Sequence, residues 1–239
     1  MTASLVVSNL SAGYGDVRVL TDVSMSIDIG AITAVIGSNG AGKTTLLRSL
    51  SGLLKPREGS VRTGDTELSG SKPLDFVRAG IAHVPEGRRL FAGMTVEDNL
   101  LMGAFARVAE RSELQRDLER IYATFPKLAE RRRQDAVSMS GGEQQMCAIG
   151  RGLMSRPRVM MIDELSLGLA PVAVDFLVEA LKTISGDGVG IVVVEQDVAV
   201  ALDLAKHVVV MDRGRVSKAG SAKEISQDRA IRAAYLGVD

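Results

Sequence analysis

The sequence predicts an α/β fold built on a parallel sheet, and three observations predict it. Four short apolar runs, 31–36 (AITAVI), 159–162 (VMMI), 191–194 (IVVV) and 208–211 (VVVM), are bounded by glycine or by charge. Strands buried on both faces read this way. Helical patterns fall between the runs, and alternation of strand with helix implies parallel pairing through crossovers. The third observation is a glycine-rich turn at 37–42, which joins the first run to a helical pattern.

Each element follows in chain order. Residues 5–10 and 17–29 alternate apolar and polar positions and are punctuated by Gly13, Gly15 and Gly30, which predicts an antiparallel arm beside the main sheet. The pattern at 44–54 opens a helix after the glycine turn and ends it near Pro56. Between 95 and 136 there is no strand candidate. There Leu114, Leu118, Ile121, Tyr122 and Phe125 share one helical face, with Glu113, Arg116, Asp117, Glu119 and Arg120 on the others. Further helices are expected at 142–154, through Met146, Ile149, Leu153 and Met154, and at 172–184, through Val174, Leu177, Val178, Leu181 and Ile184. The expected organisation is one domain over 1–239, with arm and core formed by 1–94 and 137–239 and a helical subdomain at 95–136.

Composition narrows the function. Lys+Arg and Asp+Glu number 29 each, so the net charge is zero and a generic nucleic-acid coat, which needs a basic excess, is excluded. At 46% hydrophobic residues the chain is not a disordered one. Cys147 is the single cysteine, so no intramolecular disulfide forms, which suits a reducing compartment. No basic-then-apolar leader is visible, and no run approaches the roughly 20 apolar residues of a membrane-spanning helix. The expectation is a soluble chain, or one that reaches a membrane through a partner.

The turn Gly37-Ser38-Asn39-Gly40-Ala41-Gly42-Lys43-Thr44-Thr45 matches G-x-x-x-x-G-K-[ST] in the required context of strand before and helix after. Its glycines let backbone N–H groups converge on an anion at a helix start. Lys43 is placed to reach the β- and γ-phosphates of a nucleotide, and the Thr44 hydroxyl to take one position on Mg²⁺. The run 159–162 ends in Asp163-Glu164, at the strand end where open α/β sheets bind ligands. Asp163 is expected on Mg²⁺, with Glu164 orienting and deprotonating the attacking water. A second helix start, Ser140-Gly141-Gly142-Glu143-Gln144-Gln145, precedes that acidic strand, with Ser140 as its cap.

Taken in this order, the three motifs resemble those of ABC-type ATPases, and the resemblance covers essentially the whole chain. A GTPase is set aside because none of Asn9, Asn39 and Asn99 is followed by Lys. The resemblance implies a P-loop NTPase with a RecA-like core, an antiparallel β arm and a helical subdomain. It also implies Mg²⁺ and ATP sandwiched between two ATPase chains, with Ser140, Gly141 and Gly142 facing the γ-phosphate held by the partner. Tyr14, between Gly13 and Gly15, corresponds to the aromatic ring under adenine.

A closer resemblance is to the shorter ATP-binding subunit of branched-chain amino-acid importers. It rests on Val84-Pro85-Glu86-Gly87-Arg88-Arg89-Leu90-Phe91, on Met94 through Leu100, on SGGEQQMCAIG at 140–150, on Ser166 through Pro171, on Val194-Glu195-Gln196-Asp197, and on AYLG at 234–237. Related urea and amide importers use similar subunits. The implied partners are a second homologous ATPase chain, integral-membrane permease subunits and, indirectly, an extracytoplasmic substrate-binding protein, but no nucleic acid. The implied location is the cytoplasmic face of the cell membrane. Arg88 and Arg89 fall where such subunits grip a short permease helix, with Phe91 and Met94 as the apolar part of the groove.

The chain departs from the general ABC pattern at four positions: Glu86 stands for Gln, Gln196 for His, Ala170 for Asp and Leu165 for Pro. Glu86 can accept a hydrogen bond or ligate a cation, yet adds negative charge beside the γ-phosphate. Gln196 can donate to phosphate but cannot become cationic. The first three departures recur in the branched-chain subfamily, so weaker hydrolysis at one of two sites is expected. The competing readings are a soluble, non-transport ABC ATPase and a nucleotide-gated regulator with weak hydrolysis. Cys147 is expected to pack as a small hydrophobe, and His83 and His207 lack metal-ligand spacing. Arg131, Arg132 and Arg133 read as a solvated helix end rather than an RNA contact.

Overall fold

A computed structural model describes residues 5–233. The strands are β1 (Leu5–Tyr14), β2 (Val17–Ile27), β3 (Ile32–Ile36), β4 (Glu58–Thr63), β5 (Thr66–Glu67), β6 (Ile81–Val84), β7 (Val159–Asp163), β8 (Gly190–Glu195), β9 (His207–Asp212) and β10 (Arg215–Ser221). The helices are α1 (Lys43–Ser49), α2 (Pro73–Arg78), α3 (Val96–Met102), α4 (Arg111–Thr124), α5 (Pro126–Glu130), α6 (Gly141–Leu153), α7 (Pro171–Gly186), α8 (Val198–Leu204), α9 (Ala222–Gln227) and α10 (Arg229–Ile231).

A six-stranded sheet in the order β10-β9-β3-β8-β7-β6 forms the centre, parallel except where β10 returns along β9. All four predicted apolar runs lie in it. Its side chains alternate between two hydrophobic cores, as the two-residue period of a strand requires. Ile32, Ala34, Ile36, Met160, Ile162, Ile191, Val193, Val208 and Val210 face the core shared with α6, α7 and α8. Val35, Val159, Met161, Val192, Val194, Val209 and Met211 face the core shared with α1 and the β arm. The arm is a separate antiparallel sheet, β2-β1-β4-β5, which presents Leu5, Val7, Leu10, Leu20, Val23, Ile27 and Val61 to that second core.

The α/β class, the parallel core and the antiparallel arm are therefore as the sequence predicts. Helix α1 is shorter than the 44–54 pattern. The chain turns at Gly52 (φ 73°), and a Cβ there would meet the Phe76 ring at 2.7 Å. Leu53, beyond the turn, stands exposed, so apolar periodicity outruns the helix.

Helices α3, α4 and α5 occupy the stretch where the sequence offers no strand, and its two ends meet. Thr95 and Asp135 form an isolated antiparallel bridge, flanked by Val96 N donating to Gln134 O at 3.0 Å and Ala136 N to Met94 O at 3.1 Å. Leu118, Ile121 and Phe125 of the predicted apolar face are buried, with Leu114 and Tyr122 partly so. Asp117, expected on a polar face, is buried as well because Arg107 and Arg156 pair with it. Among the described residues no helix is long and apolar enough to cross a membrane. The AYLG segment at 234–237 lies outside the described residues.

Candidate nucleotide site

The glycine turn follows β3 and leads into α1. Gly42 takes φ 101° at the helix start and supplies no side-chain cap, which leaves the first N–H groups open to an anion. A Cβ at Gly37 would lie 2.3 Å from the Met211 carbonyl oxygen, so only glycine lets the loop hug β9. Ser38, Asn39 and Gly40 (φ 82°) form the crest of the loop, with Asn39 and Gly40 exposed, while Ala41 and Thr45 are buried. Lys43 is buried, and its ammonium donates to Gly37 O at 2.7 Å and Ser38 O at 3.2 Å. The cation thus spans the loop.

The acidic strand end lies against this loop. Asp163 is buried beside the Thr44 side chain, and its Oδ1 has no partner. Burial pushes its carboxyl up to about 6; Glu164 and Glu86 push the same way, while the Thr44 hydroxyl and Lys43 oppose them. An unpaired carboxylate oxygen beside a hydroxyl, with two further acids and a lysine close enough to act on it, fits a hard divalent cation such as Mg²⁺. Among the described residues no group of three His, Cys, Asp or Glu is close enough to hold a metal alone, so such an ion would complete its shell from phosphate and water. Glu86 sits exposed in the loop after β6 and acts on Asp163 through charge rather than through a hydrogen bond.

Glu164 takes a left-handed backbone (φ 56°) and donates its N–H to Val194 O at 3.0 Å, tying it to β8. From the end of β8, Gln196 Nε2 donates to Glu164 Oε1 at 2.9 Å. Two residues 32 apart in sequence are thus brought together. Tyr14 ends β1, partly exposed, and its hydroxyl accepts from Arg48 Nη1 at 3.1 Å, which holds the ring beside α1.

Ser140 caps α6 as expected. Its hydroxyl accepts from Glu143 N and donates to Glu143 Oε2 at 2.8 Å. Gly141 and Gly142 lie against Arg88, Leu169 and Ala173 rather than against the phosphate loop of the same chain. Arg131 pairs with Glu143 at 2.9 Å, so the arginine run is not wholly solvated.

Several working residues escape sequence reasoning. Glu195 is fully buried and accepts from Ser166 N at 2.8 Å, Ser166 Oγ at 3.0 Å and Gln196 N at 3.1 Å. It thereby joins the loop after the two acids to the residue that touches Glu164. A lone carboxylate ending the apolar strand GIVVVE is the available signal. Arg151 donates to the carbonyls of Arg88 (3.0 Å) and Arg89 (2.7 Å), both left-handed at φ 64° and 48°, and stacks 5.2 Å from the Phe91 ring centre.

Beside that loop runs a groove of about 560 Å³, lined by Arg89, Phe91, Met102, Phe105, His83 and Arg151 among others. Met94, expected there, is instead half-buried with its carbonyl bonded to Asn99 and Ala136, and Arg88 turns to Gln144. His83 has an unpartnered Nε2 and is pushed down to about 4 by burial. Cys147 is buried with its thiol pushed up to about 12, an unreactive hydrophobe as expected.

Comparison with known proteins agrees with this arrangement. The family model for ABC transporters matches residues 20–166. The chain is 42% identical to the high-affinity branched-chain amino acid transport ATP-binding protein BraG of Pseudomonas aeruginosa, covering 95% of this chain and 97% of that protein. It is 32% identical to the probable branched-chain amino acid transport ATP-binding protein LivF of Archaeoglobus fulgidus, over 96% and 97%. Among solved structures, an ATP-binding subunit of an ABC transporter superposes with a TM-score of 0.83 at 31% identity, over 98% of this chain and 96% of that one. The chain belongs to the ABC transporter family, as one of its ATP-binding subunits.

Proposed function

We propose that this chain hydrolyses ATP to drive a membrane permease importing branched-chain or chemically related amino acids. The observation that carries the chemistry is the contact of Gln196 with Glu164 next to the Thr44–Asp163 pair at the mouth of the phosphate loop. Its similarity to the Pseudomonas and Archaeoglobus proteins supports the substrate class.

The backbone N–H groups of Gly37 through Thr45 cradle the phosphates, and Lys43 exchanges its loop carbonyls for phosphate oxygens. Thr44 and Asp163 hold Mg²⁺, with Glu86 nearby. The bound ion supplies charge neutralisation at the phosphates. Glu164 accepts the proton of the attacking water, and Gln196, already bonded to Glu164, keeps that carboxylate aimed. Tyr14 stacks on adenine. Ser140, Gly141 and Gly142 serve the nucleotide of a second, homologous ATPase chain, so that binding closes the pair and hydrolysis reopens it.

Residues 95–136 act as the helical subdomain, and the groove at Phe91 and Arg89 receives a permease helix. That places the chain peripherally on the inner face of the membrane, with a substrate-binding protein on the far side. Glu86, Gln196 and Ala170 make this chain's site the slower member of an asymmetric pair. In this reading the changes fall on positions that face water and the partner chain, while the phosphate loop and Asp163-Glu164 keep the motif residues.

Glu164→Gln removes the base without altering the shape. Hydrolysis is expected to fall by at least about 100-fold, with ATP binding kept and the closed pair accumulating. Turnover unchanged in E164Q overturns the assignment of the base, and a reconstituted complex that moves no amino acid overturns the substrate class.

A further inference from the structure

We propose that a pocket of four arginines beside residues 95–136 binds the phosphate of an anionic phospholipid, seating this edge of the chain on an acidic membrane surface. Arg78 ends α2, Arg107 follows α3, and Arg156 and Arg158 lie between α6 and β7. With Thr66 and Ser155 they line a pocket of about 450 Å³. These segments are distant in sequence and meet only through the fold.

Two of the guanidinium groups are held in place. Arg107 lies 2.8 Å from Asp117 and donates to Met154 O at 2.6 Å. Arg156 lies 3.0 Å from the same buried Asp117 and 3.8 Å from Glu113. Arg78 and Arg158 have no ion-pair partner among the described residues. Four guanidinium groups therefore face two carboxylates, a local positive surplus in a chain whose net charge is zero. The planar forks suit phosphate oxygens, and fixing two of them lowers the ordering cost of binding.

The surroundings select a lipid source for that phosphate. Arg107 is flanked by Phe105, 71% exposed, and by Val108, fully exposed. Bare apolar side chains beside converging cations are the composition of an interfacial site. Val108, which lines neither the pocket nor the groove, enters the headgroup layer while the cations take the phosphates. Val77 and Ser155 are common to this pocket and the apolar groove, so one continuous face carries both.

The test uses the full chain and vesicles that contain no permease, so it succeeds or fails independently of the transport reading. Co-sedimentation is measured with phosphatidylcholine vesicles and with vesicles containing phosphatidylglycerol at low salt. Binding to the anionic vesicles is expected to exceed the neutral ones by about tenfold and to weaken as salt rises. Arg78→Gln and Arg158→Gln are each expected to lower it by about fivefold, with ATP turnover unchanged as the measure of intact folding. Equal binding to both vesicles, or anionic binding that survives the double variant, overturns the proposal. Displacement by inorganic phosphate without any vesicle preference reassigns the pocket to a soluble phosphate compound. In a second arm that uses membranes containing permease, binding there and not to the permease-free vesicles reassigns it to an acidic protein segment. Either result overturns the lipid assignment.

Discussion

Glu195 shows how one side chain can organise a site it does not enter. Its carboxylate takes three hydrogen bonds, two from backbone N–H groups, that no other acceptor is placed to receive. Glu195→Ala leaves those part-buried donors without their acceptor, and the expected cost is about 1–2 kcal/mol in a urea titration. It also frees Gln196 and the loop at Ser166, so turnover should fall while the KM for ATP stays near its parent value. Equal turnover would show that the tie is structural only. Glu195 also carries a pH signature. Burial raises its pKa above the ordinary 4.5, so the native state holds that proton more readily than the unfolded chain. The stability it contributes is complete below that ordinary value and is lost as the pH rises through the raised one. Glu195→Gln should flatten this limb of the stability profile.

Much of the residue scale is legible in the sequence. The phosphate loop is readable because its chemistry is local: spacing, glycine and one lysine within nine positions. Asp163 and Glu164 are readable because they end an apolar run. Glu195 is not, since its partner at Ser166 lies 29 residues away. The apolar half of the groove is not at Met94 because Met102 and Phe105 reach it from the end of α3 and beyond.

At the scale of elements, the packing of α3 on α6 depends on close backbone approach. A Cβ at Gly103 would stand 1.8 Å from the Arg151 carbonyl oxygen, and one at Gly150 would stand 2.8 Å from Leu100 Cδ2. Gly103→Ala is therefore expected to push α3 off α6 and to destabilise by about 1–3 kcal/mol. At Gly186, the end of α7, an added methyl group would meet nothing within 4 Å. Gly186→Ala should be neutral or stabilise by up to about 1 kcal/mol through helix propensity. Paired thermal melts of the two variants check both signs. The buried strands are legible because both faces are apolar. The β4–β5 hairpin and β6 are not, being short and interrupted by polar residues such as His83. The sequence overstates α1 because leucines continue past Ser49, although Leu53 is left to solvent.

For the whole molecule, the alternation of side chains along β3, β7, β8 and β9 has a consequence for how the protein comes apart. Every one of these strands anchors both hydrophobic cores at once, so neither core can be exposed while the other keeps its sheet. The groups gathered at the strand ends should persist to the same temperature and vanish together. Calorimetry of the core is expected to give one transition whose van't Hoff and calorimetric enthalpies agree, and two resolved transitions would contradict it. Nucleotide, by binding only the folded form, should move that single transition upward as a unit. A subunit wired in this way has no partly melted state in which it could waste fuel: it is either fully assembled around its phosphate loop or not a catalyst at all.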